Sequence, residues 1–223
     1  MIKQKTILGE REVDRMIWHR FLQTKLGQQI MFFTIGNLFV VKKALNRERF
    51  QKIWYSIWLE QGYYEDDPKE PLNDFAQYNP YATDFILFYR SKACGTLRII
   101  HNNKQEGLPT LKEFCITTQL WHTENIKEIT LFTVDKRFRG SNLFYLPLFV
   151  LIKHIARWGK RRGIEGWVMM ADERLFYLLR RKKIPIHQIG PQRFYKGSTT
   201  YPAYISTQEF LYIMRKHNPF LAL

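Results

Sequence analysis

Glu128-Ile-Thr-Leu-Phe132-Thr133-Val134-Asp135-Lys-Arg137-Phe-Arg139-Gly140-Ser141 reads as a buried β-strand running straight into a basic turn that contains glycine. A helix-like segment follows at once. That order gathers backbone N–H groups, Arg137, Arg139, Gly140 and Ser141 at a helix N-terminus, where amide dipoles and guanidinium charge both favour phosphate oxygens. Glu128 begins the strand, so a carboxylate on a rigid element can accept a proton near such a turn, and Asp135 can tie the turn down. The same residues also suit a strand–turn–helix corner with solvated arginines.

Toward the C-terminus, the pattern predicts a helix over 142–162, a strand at 165–171, a helix at 174–183 and strands at 184–190 and 201–206. Pro147 inside the first of these helices predicts a kink unless the helix begins later. Toward the N-terminus, 84–90 and 94–101 read as strands joined by Ser91-Lys92-Ala93, and 108–120 as a short helix. The stretch 63–82 is acidic, proline-containing and aperiodic, which suits a functional loop or lid. Before it, Asn46 can cap a helix through Gly62 whose apolar stripe is Phe50, Ile53, Trp54, Ile57 and Trp58. Residues 31–42 suggest a bulged strand or tight hairpin, and 10–29 an N-terminal helix. Helices and strands alternating in the second half predict an α/β (α+β) fold, a central twisted mixed sheet flanked by helices. We expect a single domain over 1–223, with 1–30 as a helical extension.

The composition, 45% apolar with many aromatics, argues against disorder. The formal charge of +15 raises encounter rates with polyanions, whether nucleic acid, anionic headgroups or an acidic protein. Cys94 and Cys115 lack metal-ligand spacing and suit a reducing cytoplasm. The apolar runs at 31–41 and 143–152 fall short of the roughly 20 residues needed to span a bilayer. The N-terminus turns amphipathic rather than apolar, unlike a secretory signal. His101, His122, His154 and His187 do not follow metal-ligand spacing, so we expect no metal.

The order of strands, basic turn, helix, strand, helix and strand resembles the Gcn5-related N-acetyltransferase (GNAT) fold. That family's glycine turn falls on Arg139-Gly140-Ser141-Asn142-Leu143-Phe144, where Asn142 and Phe144 replace small residues and weaken the case for coenzyme A. Gly95-Thr-Leu-Arg98-Ile-Ile, Gly107-Leu-Pro-Thr-Leu-Lys-Glu-Phe114 and Glu128-Ile-Thr resemble the autoinducer (acyl-homoserine-lactone) synthases. They are more similar still to the long-chain N-acyl amino acid synthases, as is the C-terminal run from Phe176-Tyr177 to Tyr201-Pro-Ala203. Asp66, Asp67 and Asp74 stand where the synthases carry paired acidic residues, and Leu131 stands where their Glu-x-Ser-Arg motif has arginine. The resemblance covers roughly residues 45–207. It implies an enzyme that moves a fatty acyl group from acyl carrier protein, or from coenzyme A, to the amine of an amino acid or related molecule.

Transfer from a thioester to an amine needs a neutral nucleophile, an aligned carbonyl, donors for the oxyanion and an acid for the thiolate. On the resemblance, Glu128 receives the ammonium proton and Tyr177 protonates the thiolate, as a tyrosine at that place does in this fold. Backbone N–H groups of Phe132, Thr133 and Val134 can hold the carbonyl if the sheet splays beside them. Arg98 can fix a substrate carboxylate or brace Asp74. Phe114, Trp121, Phe144, Leu148, Trp167 and Met169 can line an acyl pocket, although each also suits an ordinary core. Basic runs at 136–139, 153–162 and 174–183 suit an acidic acyl carrier protein, with peripheral contact at the inner membrane face as a further expectation. The rival readings are a non-catalytic acyl-binding protein and a nucleic-acid-binding protein; the latter lacks helix-turn-helix, RNP and zinc-finger signatures.

Overall fold

A computed structural model describes residues 38–63, 75–117, 124–139 and 145–217. The chain divides into two compact units, Met1–Phe39 and Val40–Leu223. The helix expected at 10–29 and most of the strand expected at 31–42 lie outside the described residues, which begin just before β1 (Phe39–Lys43).

Asn46 is extended and its side chain accepts the Arg49 N–H at 2.8 Å, so α1 (Arg47–Glu60) starts at the expected cap. Its stripe of Phe50, Trp54 and Ile57 is buried, with Ile53 and Trp58 packed alongside. A 3₁₀ turn (Ala76–Tyr81) then leads into β2 (Ala82–Tyr89) and β3 (Lys92–His101). Positive φ at both Arg90 and Ser91 gives this hairpin a tight two-residue turn, earlier than the expected Ser91-Lys92-Ala93 connection. The helix expected at 108–120 is shorter, with α2 spanning Pro109–Glu113 before Cys115 turns the chain at positive φ. β4 (Ile126–Val134) carries the opening sequence stretch, and its basic turn forms a 3₁₀ segment (Lys136–Phe138) capped by Asp135.

The next helix is described as α3 (Tyr145–Lys160), and the start expected at 142 lies outside the described residues. Pro147 stands at its third described position. β5 (Gly166–Asp172) and α4 (Glu173–Arg181) follow nearly as expected. The strand expected at 184–190 reduces to β6 (His187–Gln188). β7 (Arg193–Tyr195), β8 (Ser198–Ser206) and α5 (Thr207–His217) complete the described chain.

The strands form one mixed sheet in the order β1-β2-β3-β4-β5-β8-β6, with β7 also paired to β8. β2 to β4 are antiparallel neighbours, β4 and β5 are parallel, and β8 runs antiparallel to β5. α1 covers one face, where Phe50 and Trp54 join Ile86, Ile100 and Val168 in the core. On the other face Trp158 of α3 lies 6.1 Å from Trp167 and 6.5 Å from Phe85. Helices on both faces explain why β3 is buried continuously from Cys94 to Ile100 instead of alternating.

Two features of β4 shape the site. Thr96 pairs with Thr133 while Arg98 pairs with Thr130, so β4 contains an extra residue, a β-bulge. Buried Leu131 takes up the bulge at φ 47°, and its carbonyl accepts the Thr96 hydroxyl at 2.9 Å. The parallel pairing of β4 with β5 ends at Ile129–Met169, although β4 continues to Val134 and β5 to Asp172. The two strands separate from there.

A Cβ added at Gly95 would lie 2.5 Å from the Thr133 carbonyl oxygen, a backbone atom beside the bulge. Gly95→Ala is therefore expected to push β3 from β4 and destabilise the fold by about 1–3 kcal/mol, which a thermal melt would register as a fall of roughly 3–10 °C.

Candidate active site

The separation of β4 from β5 opens a cavity of about 380 Å³. Ile129 to Val134 form one wall, and Met169, Met170 and Asp172 of β5 form the facing wall. The end of α1 contributes Trp58, with Gln61 and Tyr63 just beyond it. Tyr195, Lys196, Ser198 and Thr200 come from the β7–β8 hairpin, and Arg174, Leu175 and Leu178 from α4. Phe75, Phe138, Arg139 and Leu148 complete the lining. Beneath it lies a second, apolar space of about 40 Å³ that shares Ile129, Phe132, Met169 and Leu175 with the first. Trp167, Ile152, Ile155 and Phe210 help enclose it.

Several expected site residues meet here. Phe132, Thr133, Val134, Arg139, Leu148 and Met169 line the main cavity, while Trp167 and Met169 line the smaller one. Beyond Ile129, β4 has no described strand partner on its β5 side, so the splay required for Phe132 to Val134 is present. Arg139 donates through Nε to the Val134 carbonyl, and its guanidinium lies 3.5 Å from Glu60.

Other expected residues stand elsewhere. Glu128 is fully buried on β4 and lines neither cavity; its carboxylate accepts the Thr110 N–H and hydroxyl, both at 2.9 Å. Burial pushes its pKa up to about 8, against the Thr110 bonds that favour the charged form. Glu128 therefore anchors the start of α2 in this structure, because its side chain points into the α1-covered face beside Ile100 and Val168.

Arg98 is likewise buried and makes a bidentate pair with Asp84 directly across the hairpin, at 2.6 and 3.0 Å. Its guanidinium also lies over Phe50. The group is consumed by the core, and Asp84 takes the place expected of a substrate carboxylate. Tyr177 is 52% exposed, with its hydroxyl 3.3 Å from that of Tyr201, and it does not line the cavity. Arg137 folds back onto Asp135 with its Nη2 2.7 Å from Oδ2. Partial burial opposes ionisation of Asp135, but Arg137 outweighs it and holds the carboxyl below its ordinary range. Phe114 packs against Tyr195 at 6.4 Å, behind the lining. Asp74, Trp121, Gly140, Ser141 and Phe144 lie outside the described residues, as do Asp66, Asp67 and His122.

Tyr63, Asp172, Arg174 and Lys196 were not singled out from sequence. Asp172 had a readable signal, since an Asp between a strand and an amphipathic helix suits an N-cap at the carboxyl end of a parallel strand. It accepts the Leu175 N–H at 2.7 Å and the Tyr63 hydroxyl at 2.6 Å. Among the described residues, no group of three or more His, Cys, Asp or Glu side chains could hold a metal ion, and no helix is long and apolar enough to cross a membrane.

The model of the family described as N-acyl amino acid synthase FeeM matches residues 49–207. The structure of FeeM, an N-acyl amino acid synthase from uncultured soil microbes, is similar at a TM-score of 0.64, with 18% identity over 80% of this chain and 96% of that one. The acyl-homoserine-lactone (AHL) synthase LasI gives a TM-score of 0.65, with 12% identity over 81% of this chain and 95% of that one. The coenzyme A-dependent acyl-homoserine lactone synthase BjaI, solved with SAM and isopentyl-CoA, gives 0.60, with 14% identity over 82% and 87% respectively. At these identities the structural likenesses show a shared fold, the GNAT-like acyltransferase fold. A search of curated proteins by sequence finds no match.

The buried carboxyl of Glu128 makes a pH test available. Its pKa is about 8 in the fold against an ordinary 4.5, so between those values the unfolded chain releases a proton that the folded chain keeps. Stability contributed by Glu128 is present below pH 4.5 and lost as pH rises through about 8. Urea unfolding across this window is expected to show a flatter pH dependence for Glu128→Gln than for the wild type, the difference reaching at most about 1.4 kcal/mol per pH unit. Parallel profiles would refute the shift.

Proposed function

The chain belongs to the FeeM family of N-acyl amino acid synthases and is an N-acyltransferase, and from that premise we propose how its cavity handles the two substrates. The observation that carries the reading is the separation of β4 from β5 beyond Ile129–Met169. It creates a slot with backbone on one side and apolar depth below, which suits a thioester whose fatty tail must leave water while its carbonyl stays near hydrogen-bond donors.

The thioester carbonyl lies against the backbone N–H groups of Phe132 to Val134, where β4 has no described partner strand on the β5 side. Its tail runs toward Leu148, Met169 and Trp167 and the apolar space beneath. Arg139, just past the 3₁₀ segment that follows this strand, faces the donor's phosphate. The neutral amine attacks the carbonyl carbon, a C–N bond forms, the oxyanion collapses, and the C–S bond breaks; the proton shed by the nitrogen ends on the departing thiolate, so the products are the amide and the free thiol. Holding both reactants in one slot lowers the entropic part of that barrier. Glu128 supports this wall through Thr110 and the β4 backbone; its burial removes it from the amine.

The donor is a long-chain acyl group on acyl carrier protein, and the acceptor is an amino acid or related small amine. The net charge of +15 supports the carrier, as do Arg157 and Lys160 in the last turn of α3 and Arg180 and Arg181 in that of α4. The free thiols of Cys94 and Cys115 agree with a cytoplasmic setting, where acyl carrier proteins work.

Lipid extracts from cells expressing the wild type should contain a new long-chain N-acyl amine, identified by mass spectrometry. Met170→Trp, which fills the slot, should reduce that product at least about tenfold while remaining folded by circular dichroism. With purified acyl carrier protein as donor, kcat/KM should fall as salt is raised. A wild type that makes no N-acyl amine, or a Met170→Trp variant that makes as much, would sink the assignment of this slot.

A further inference from the structure

Thioester chemistry does not by itself account for the charge pattern of the cavity. Among its described lining residues the one carboxylate is Asp172, whereas Arg139, Arg174 and Lys196 bring positive charge. Asp172 is the last residue of β5 and lies three positions past the final β4–β5 pair, so the same separation that forms the slot delivers this side chain to it.

Both carboxylate oxygens are oriented. Oδ1 accepts the Leu175 N–H at 2.7 Å and caps α4; Oδ2 accepts the Tyr63 hydroxyl at 2.6 Å. A carboxylate offers about four lone-pair sites, so two bonds fix the group and leave acceptor capacity for another donor. Helix capping needs only the first bond. The second comes from a residue 109 positions away, just beyond the end of α1, and joins two walls of the cavity. Burial and the bond to Asp172 raise the Tyr63 pKa, which keeps the phenol protonated and donating.

We propose that Asp172 binds the ammonium group of the acceptor, with Tyr63 as the positioning residue that aims the carboxylate and Arg174 facing the acceptor's carboxylate. The inference rests on the N-acyltransferase reading of this cavity and extends it to the acceptor's charge state. The substrate class it implies is an amine that arrives as a zwitterion. A cation inside a cavity whose other described charged lining residues are cations needs a local anion, and Asp172 is placed to be that anion. Its role is binding. The ammonium must still lose a proton to solvent water before the nitrogen attacks, and Asp172 holds the acceptor beside the thioester until it does.

The test is steady-state kinetics of the purified full chain, varying acceptor amino acid and acyl-carrier-protein donor separately. Asp172→Asn is informative because Asn caps a helix about as well as Asp while removing the charge. The acceptor KM is expected to rise about tenfold or more, with the donor KM within about twofold of wild type. Tyr63→Phe, which leaves charge and cap intact, should raise the acceptor KM by roughly threefold to tenfold with the same selectivity. If Asp172→Asn does not fold, the Tyr63→Phe split decides alone. A rise confined to the donor KM would overturn the proposal and assign Asp172 to the donor arm; unchanged KM values for both would reduce it to a helix cap. Wild type that acylates amines while the variants keep its acceptor KM removes this inference only, whereas wild type that acylates no amine removes the functional reading and this inference with it.

Discussion

The extra residue in β4 is the constraint on which the site depends. Leu131 sits at φ 47°, a conformation that costs an L-residue about 1–2 kcal/mol, and it is held there by burial and by the Thr96 hydroxyl on its carbonyl. Thr96 also bonds the Thr133 hydroxyl at 2.6 Å, so one side chain ties both flanks of the bulge to β3. Gly95 lets the strands approach at that point. With β4 secured to β3 on one side, its irregularity is expressed on the other. There, pairing with β5 stops and the cavity opens.

Around this opening the fold keeps its buried charges compensated. Asp84 receives two hydrogen bonds from Arg98 and lies 3.7 Å from Arg47, joining β2, β3 and α1. Removing one partner of such a buried pair leaves the other uncompensated, a loss of about 3–5 kcal/mol. Glu128 solves a related problem with neutral partners, and its raised pKa reflects how little Thr110 offsets the burial. These groups hold the sheet in register beneath the slot. They do not touch what enters it.

The elements were largely legible from sequence because their signals are local. Asn46 before an apolar stripe, the short gap between two strand-like runs, and a strand followed by an amphipathic helix all reflect neighbours within a few residues. The C-terminal helix α5 was missed although Ser206 and Glu209 have capping-box spacing, with the Ser206 hydroxyl accepting the Glu209 N–H. β6 was overread because Ile184 and Ile186 are buried without belonging to a strand. Apolar content recorded their burial and carried no information about pairing.

The site was less legible, and the reason is physical. On β4, Glu128 and Thr130 share a face by alternation, but only the latter reaches the cavity, because Glu128 is still paired beside Val168 of β5 whereas Thr130 lies past the last pair, Ile129–Met169. No pattern within β4 reports where its neighbour departs. A titratable residue on a core strand therefore looked available for chemistry while being enclosed. Asp172 presents the reverse case. An acidic cap at a strand end looks structural, yet at this end the strands have already separated, so the capping carboxylate also lines the slot. Whether a carboxylate meets substrate in this fold is set by its position relative to the point of separation, and that point is a property of two strands about 40 residues apart in sequence rather than of either one.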